Sequence, residues 1–277
     1  MLHTITDELI RQFYPNVLLP AKGEQPISLK LQPYLEAAEE WVIATFLSSA
    51  VAELVAAEHA DVDHIVLSIV IHEGMRRAIP ELDLVLTPNG FGIVSSSSIA
   101  PASRERVERL IAQSVENRDL AIEALLRQLP RLDSWLSTSQ CSFFAATIFP
   151  NLDVCRIIGI KASLWDAYLE LRSRIVPIEE RLAVQFLSHD LLEALHVEHL
   201  QGLSSMTSPR RHVAHVLRSY IAELLRGATP DIRAIVDLVD FVRDRPEVFP
   251  EWVDSEVALL FSPPVFENKK EARGYWF

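Results

Sequence analysis

The sequence has few of the residues on which several protein classes depend. It contains two cysteines, Cys141 and Cys155, and eight glycines in 277 residues. Two cysteines are too few for a disulfide framework and have the wrong spacing for a zinc knuckle, so we expect a reducing compartment. Sixteen prolines against eight glycines argue against flexible low-complexity tracts. The chain is therefore expected to fold around a core.

Positive charge is also scarce. The 26 Lys and Arg residues face 38 Asp and Glu, for a formal net charge of −12. Such a chain repels nucleic acid unless its basic residues are segregated, which argues against sequence-specific DNA binding. Apolar runs stop well short of the ~20 residues that a membrane helix needs, and "MLHTITDELIRQFYP" lacks a signal-peptide pattern. We predict no membrane span and no export signal.

What the sequence does contain is helical periodicity. The predicted helices cover residues 7–13, 31–59, 61–79, 101–129, 163–175, 178–200, 208–226 and 231–243. A break of the second helix near Ser48 and Ser49 stays open. Pro80 is expected to end the third of these helices, whereas residues 130–160 fit either a strand or a buried helix. The predicted fold is mainly α, with an N-terminal helical bundle over residues 1–130. A C-terminal helical region with an aromatic tail, over residues 131–277, can form a second subdomain.

The stretch "DLVLTPNGFGIV" interrupts this helical pattern. Short strand-like runs flank "TPNG", in which proline presets a turn and Asn-Gly accepts positive φ angles. We predict a projecting β-hairpin over residues 82–95. Its turn lacks the glycine spacing and the lysine of a phosphate-binding loop, and the serines that follow lack a nucleophile motif.

Arginine and aromatic residues around this hairpin are typical of protein interfaces. The predicted interface residues are Pro88, Asn89, Gly90, Phe91, Gly92, Arg76, Arg77, Arg104, Tyr275, Trp276 and Phe277. For the arginines a simpler interpretation also stands, because each has glutamates at helical spacing with which it can pair.

One helix carries a spacing found in metal sites. In "SHDLLEALHVEH", Glu193 and His196 stand three residues apart, as in the Glu-x-x-His motif of di-iron helical bundles. That chemistry requires a second such motif, and the first helices contain none. We therefore predict no catalytic residue, no metal and no cofactor. A metalloenzyme that uses Glu193, His196 and a carboxylate from the first helices stays open as an alternative.

Two segments of the chain resemble each other. "YLEAAEEWVIATFLSSAVAEL" and "YLELRSRIVPIEERLAVQFLSHDLLEAL" share "YLE" and "FLS". Matching both triplets requires a six-residue insertion in the second segment. A duplication and a chance similarity both stay open.

Three segments resemble a family of unknown function that is common in Bacteroidales bacteria and their prophages, where it is encoded among virion-assembly genes. They are "LQPYLEAAEEWV", "HEGMRRAIPELDLVLTPNGFGIVSSSSIAPASRERVERLI" and "FENKKEARGYWF". A helical bundle with a projecting hairpin is in turn similar to head-to-tail connector (adaptor) proteins of tailed phages, which form rings beneath the portal.

The resemblance implies a non-enzymatic virion structural protein. Its expected partners are the portal or neighbouring virion proteins and further copies of itself in a ring. Its expected location is the bacterial host cytoplasm during assembly and then the virion. Besides the metalloenzyme, a cytoplasmic protein-interaction module without a phage role stays open as an alternative.

Overall fold

The computed structural model describes residues 2–15, 25–82, 85–87, 90–92 and 103–262. It confirms the predicted fold class in its coarse form, since the described chain is mainly α. The helices are Asp7–Phe13 (α1), Ile27–Val42 (α2), Ser49–Glu58 (α3), Ala60–Leu82 (α4), Arg104–Gln128 (α5), Asp133–Leu136 (α6), Ser139–Ala145 (α7), Asp153–Ile157 (α8), Leu164–Leu182 (α9), His189–Gln201 (α10), Ser208–Leu225 (α11), Arg233–Arg243 (α12), Pro250–Val253 (α13) and Glu256–Leu260 (α14). A 3₁₀ turn covers Leu129–Arg131.

Two short strands pair after α4. Val85–Thr87 (β1) and Gly90–Gly92 (β2) run antiparallel, with Leu86 opposite Phe91. The rest of the predicted hairpin between α4 and residue 95 lies outside the described residues. Nothing in the described part of the chain shows this pair projecting from the bundle.

Two predicted helix boundaries, both at prolines, are wrong, whereas the break left open near Ser48 and Ser49 is present. The segments Ile27–Leu47 and Ser49–Glu58 meet there at a bend of 100°. Pro80 does not end α4, which continues to Leu82. Pro177 lies inside α9 rather than between two helices. Among the described residues, no single helix is long and apolar enough to cross a membrane, and the bent pair meets that criterion only when both parts are combined.

Both halves of the chain contain a helix that ends in a π-helical turn. α2 continues into Ile43–Leu47, and α9 continues into Ala183–Leu187. In each case the following serine, Ser48 or Ser188, donates its N–H to the carbonyl five residues earlier at 2.9 Å. The two serines have φ angles of 73° and 71°, which residues with a Cβ seldom adopt. This local geometry ends each helix at the serine and separates it from the next one.

The similarity of the two halves extends beyond the bend. Trp135 donates its indole N–H to the Phe46 carbonyl at 2.6 Å, and Trp252 donates to the Phe186 carbonyl at 2.9 Å. Three residues after each tryptophan, a hydroxyl residue caps the next short helix by accepting a backbone N–H. We call residues 27–145 the N-terminal unit and residues 164–262 the C-terminal unit, because they repeat one local plan.

The structure also decides the register of this repeat. Ser48 and Ser188 are equivalent, so "FLS" matches "FLS", and the helices that precede them align without an insertion. Tyr34 is then equivalent to Arg174 rather than to Tyr168, so the "YLE" match is coincidental. The two units therefore share one local structural plan, and the six-residue insertion that matching both triplets requires is not needed. The predicted domain boundary at residues 130 and 131 stays a prediction.

The two units pack on each other through α9. α4 packs against α2 and α5, and α5 contacts α9. Asp119, buried on α5, accepts the N–H of Leu164 at 2.6 Å and pairs with Arg118 at 2.8 Å. A carboxylate at a helix N-terminus is stabilised by the helix dipole. These bonds hold the beginning of α9 against the N-terminal unit.

Candidate protein-interaction surface

The N-terminal unit contains an aromatic cluster that the first turns of α9 cover. The ring centroid of Trp165 lies 4.9 Å from that of Phe46 and 6.4 Å from that of Phe144. The Arg172 guanidinium lies 3.9 Å from the ring centroid of Phe143 and donates to the carbonyl of the same residue. Phe46 and Phe144 are fully buried as a result.

The equivalent positions of the C-terminal unit are not covered by any helix that the structure describes. Phe186 and Phe261 occupy the places of the two buried phenylalanines, and their centroids lie 6.2 Å apart, but both are only partly buried. Leu260 is 72% exposed and Val184 is 54% exposed. We call Val184, Phe186, Leu260 and Phe261 the open surface. Large contiguous apolar patches on a protein surface mark binding sites, so these four residues are a candidate for one.

Arg76 and Arg77, predicted at an interface, both bind the carboxylate of Glu73. Their guanidinium nitrogens lie 2.6 and 2.7 Å from Glu73 Oε1, and buried Arg118 lies 3.0 Å from Oε2. Burial of Glu73 disfavours its charge, but the three arginine hydrogen bonds outweigh burial and lower its pKa to about 2. Arg76 and Arg77 therefore stabilise the C-terminal part of α4, and their role in an interface stays a prediction.

Arg104 begins α5, where its exposed guanidinium lies 2.7 Å from exposed Glu108. The side chains of the other predicted interface residues are not described. Gly90, Phe91 and Gly92 form β2, of which only the backbone is described, and Pro88, Asn89, Tyr275, Trp276 and Phe277 lie outside the described residues. Their contacts stay predictions.

Glu193 and His196, the candidate metal ligands, line one cleft of about 200 Å³ between α9 and α10. His196 is buried with Nε2 3.2 Å from Glu179 Oε2, whereas Glu193 is exposed. Glu179 also accepts the N–H of Ile148 at 3.0 Å, which ties this carboxylate to a neighbouring segment. The described residues include no group of three or more His, Cys, Asp and Glu side chains placed to hold a metal ion. The di-iron motif that the spacing suggested therefore has no complete donor set there.

A second polar cluster joins α8, α10 and α11. Arg218 pairs with Asp153 and lies 3.1 Å from His199 Nε2. Burial, together with the positive charge of Arg218 and nearby His196, lowers the pKa of His199 to about 4, so this imidazole is neutral at pH 7. These bonds join α8, which precedes the C-terminal unit, to α10 and α11 within it.

A large cleft of about 1130 Å³ runs along α5 and the loop before α9. Asp119 contributes to its lining, but its carboxylate is engaged by Arg118 and by the first backbone N–H groups of α9. This acidic side chain therefore positions α9, the helix that covers the aromatic cluster.

The open surface was missed in the sequence, although one signal for it exists. Aligned without a gap, "EEWVIATFLSSAVAELVAAEH" and "EERLAVQFLSHDLLEALHVEH" share both initial glutamates, "FLS", one further glutamate and the final "EH". That alignment makes Phe186 the equivalent of Phe46. Its different burial depends on Trp41, which packs on Phe46 where the second segment has Arg181, and on α9, whose place in the fold the alignment does not reveal.

Fold and surface together define a helical protein with two similar units, and among the described residues the aromatic cluster is covered by a helix in the N-terminal unit but not in the C-terminal unit. Residues 30–145, less than half of the chain, match a family model described as "Family of unknown function (DUF6712)". The match begins within α2 and ends at the last residue of α7, so it corresponds to the N-terminal unit. No curated protein and no solved structure matches the chain.

Proposed function

We propose that this protein is a non-enzymatic structural protein of a tailed-phage particle, a head-to-tail connector (adaptor) that forms a ring with the portal. The observation that carries the proposal is the open surface. Leu260 and Val184 lie in solvent next to two partly buried phenylalanines, and burying them in a protein contact is favourable by about 25 cal/mol per Å² of apolar area. Such a surface is expected of a protein that functions by binding other proteins.

The connector class is supported by three further features. The segments that resemble the prophage family include both flanks of the β1 and β2 pair, which we propose projects and contacts a neighbouring subunit. The aromatic residues Tyr275, Trp276 and Phe277 are suited to bind the portal or an adjacent subunit by burying apolar area. The net charge of −12 disfavours binding to DNA phosphates, so DNA can pass through a ring of such subunits.

This assignment implies a sequence of locations as well as partners. The protein is made in the bacterial host cytoplasm, joins the portal and neighbouring virion proteins there, and remains in the finished virion. Arg76, Arg77 and Arg104 flank the proposed hairpin in the sequence, and the exposed parts of their side chains are available to acidic groups of a partner.

The test is purification of the tagged protein from a lysogen after prophage induction, followed by mass spectrometry. We expect portal, capsid or tail proteins to co-purify. Leu260→Asp should reduce their recovery because it places a charge in the contact, whereas Leu203→Asp is the matched control at a half-exposed leucine in the loop after α10. Recovery of metabolic proteins only would contradict the proposal. So would equal recovery of virion proteins with the wild type, Leu260→Asp and Leu203→Asp.

A further inference from the structure

We infer that the open surface binds the beginning of α2 in a second copy of this chain, so that copies associate head to tail. This inference rests on the proposed function, for which it names one partner and the contact. The same contact already occurs once inside the chain. There, the first turns of α9 cover the aromatic cluster of the N-terminal unit, and α2 is the repeat equivalent of α9.

The contact within the chain shows which residues such an interface uses. Trp165 and Tyr168, both buried, approach Phe144 with ring centroids 6.4 Å away in each case. One turn further along the same helix edge, Leu169 lines a shallow cleft together with Trp41 and Phe143. The covering helix therefore presents its first two turns, and the aromatic cluster receives them.

The chain also has a second helix beginning and a second apolar surface of this kind. Among the described residues, the two do not contact each other within one chain. The receiving member is the open surface. The presenting member is the beginning of α2, where Leu29 stands at the position of Leu169 and is 50% exposed. Leu29 also borders a cleft of about 470 Å³ that includes Pro26, Ile5 and His3. A second copy that repeats the internal contact would place its Leu29 against Leu260.

The expected contact is weaker than the internal one. At the positions of Trp165 and Tyr168 the chain has Gln25, just before α2, and Ser28 in its first turn, so less apolar area is removed from water. Association costs translational and rotational freedom, which a smaller apolar contact offsets less well. We therefore expect reversible association that depends on protein concentration. Because two different surfaces meet, such contacts produce a ring or an open chain of copies rather than a symmetric dimer.

Cysteine cross-linking of the full-length chain tests this geometry. We would mix Leu29→Cys protein with Leu260→Cys protein and add a short bis-maleimide reagent. The native Cys141 and Cys155 are buried, which limits background reaction. We expect a cross-linked dimer in the mixture, little with either variant alone, and none when Leu203→Cys replaces Leu260→Cys. In the unlabelled protein, Leu260→Asp should weaken self-association in sedimentation velocity by about tenfold or more, with an unchanged circular dichroism spectrum.

Three results would overturn the inference. A dimer that forms equally well with Leu260→Cys alone would indicate a symmetric contact between two open surfaces. A yield that rises only after Tyr275 and Trp276 are both replaced by serine would indicate that the tail of the same chain covers the open surface. Absence of any cross-link, while virion proteins still co-purify from the lysogen, would refute self-association and leave the proposed function intact.

Discussion

Replacement of Ser48 or Ser188 by glycine should give a more stable protein than replacement of the same serine by alanine. The two residues follow the π-helical turns with φ and ψ of 73° and 157° in the N-terminal unit and of 71° and 152° in the C-terminal unit. Residues with a Cβ are strained at such angles, whereas glycine adopts them freely. Alanine removes the hydroxyl and keeps the strain, while glycine removes both.

The expected size follows from three contributions. Relief of the strain is worth on the order of 1–3 kcal/mol. Each hydroxyl accepts an N–H of the next helix, from Val51 at 3.5 Å or from Leu191 at 3.3 Å, and losing such a cap costs about 1 kcal/mol with alanine but only a few tenths with glycine. The greater freedom of glycine in the unfolded chain costs about 0.5–1 kcal/mol. Glycine variants should therefore exceed alanine variants in unfolding free energy by about 1–3 kcal/mol.

Urea unfolding followed by circular dichroism measures this difference as a shift of the midpoint at constant slope. The matched control is Ala56→Gly, at an exposed position inside α3, where glycine should cost about 0.5–1 kcal/mol because the backbone there is ordinary helix. If the alanine variant equals or exceeds the glycine variant at either serine, the assignment of strain to that residue is wrong.

Three further substitutions test buried groups. Burial lowers the pKa of His72 to about 4, so between about pH 6.5 and pH 4 the unfolded chain binds the extra proton. The stability that neutral His72 contributes is complete above pH 6.5 and should be lower by about 2 kcal/mol at pH 5. His72→Gln removes this titration, so it should reduce the difference between the urea midpoints at pH 7 and pH 5. Trp252→Phe removes the indole donor to the Phe186 carbonyl and should cost about 1–3 kcal/mol in urea unfolding; an unchanged midpoint would contradict it. Gly74→Ala places a Cβ 2.7 Å from Leu35 Cδ2, so thermal unfolding should show a loss of about 1–3 kcal/mol, and a neutral result would mean that this leucine moves aside.

Helical periodicity predicted the existence of most helices because burial of one helix face sets the spacing of apolar residues along the chain. α11 and α12 lie within two residues of the expected bounds. The predicted breaks failed where packing outweighed a single proline. Pro177 removes one backbone donor, yet Ile175 and Glu179 on either side are buried, and the helix continues between them. The actual break lies at a π-helical turn in "AVQFLS", which contains neither glycine nor proline.

The open surface was harder to predict, because it is defined by a difference in burial between equivalent residues of the two units. The predicted interface arginines do have the expected local glutamate partners, and the metal hypothesis depended on spacing along one helix. Spacing does not show whether a side chain such as Glu193 points into a donor set, and here it is exposed. The open surface requires knowing both that the chain is repeated and where α9 lies.

The unequal burial of Phe46 and Phe186 is also the observation on which the proposed function rests. Phe46 and Phe186 share a sequence context, a tryptophan that donates to their carbonyl and a phenylalanine neighbour, which lies in α7 for Phe46 and directly after α14 for Phe186. Their intrinsic apolarity is the same, so their unequal burial comes from what packs on each of them. Within the first unit the ring centroid of Trp41 lies 5.5 Å from that of Phe46, and the equivalent position of the second unit is Arg181. For the first unit the next unit supplies the cover, because Trp165 packs on it. By the same physical requirement the second unit favours a partner that presents a comparable helix start, and the chain itself carries one at Leu29.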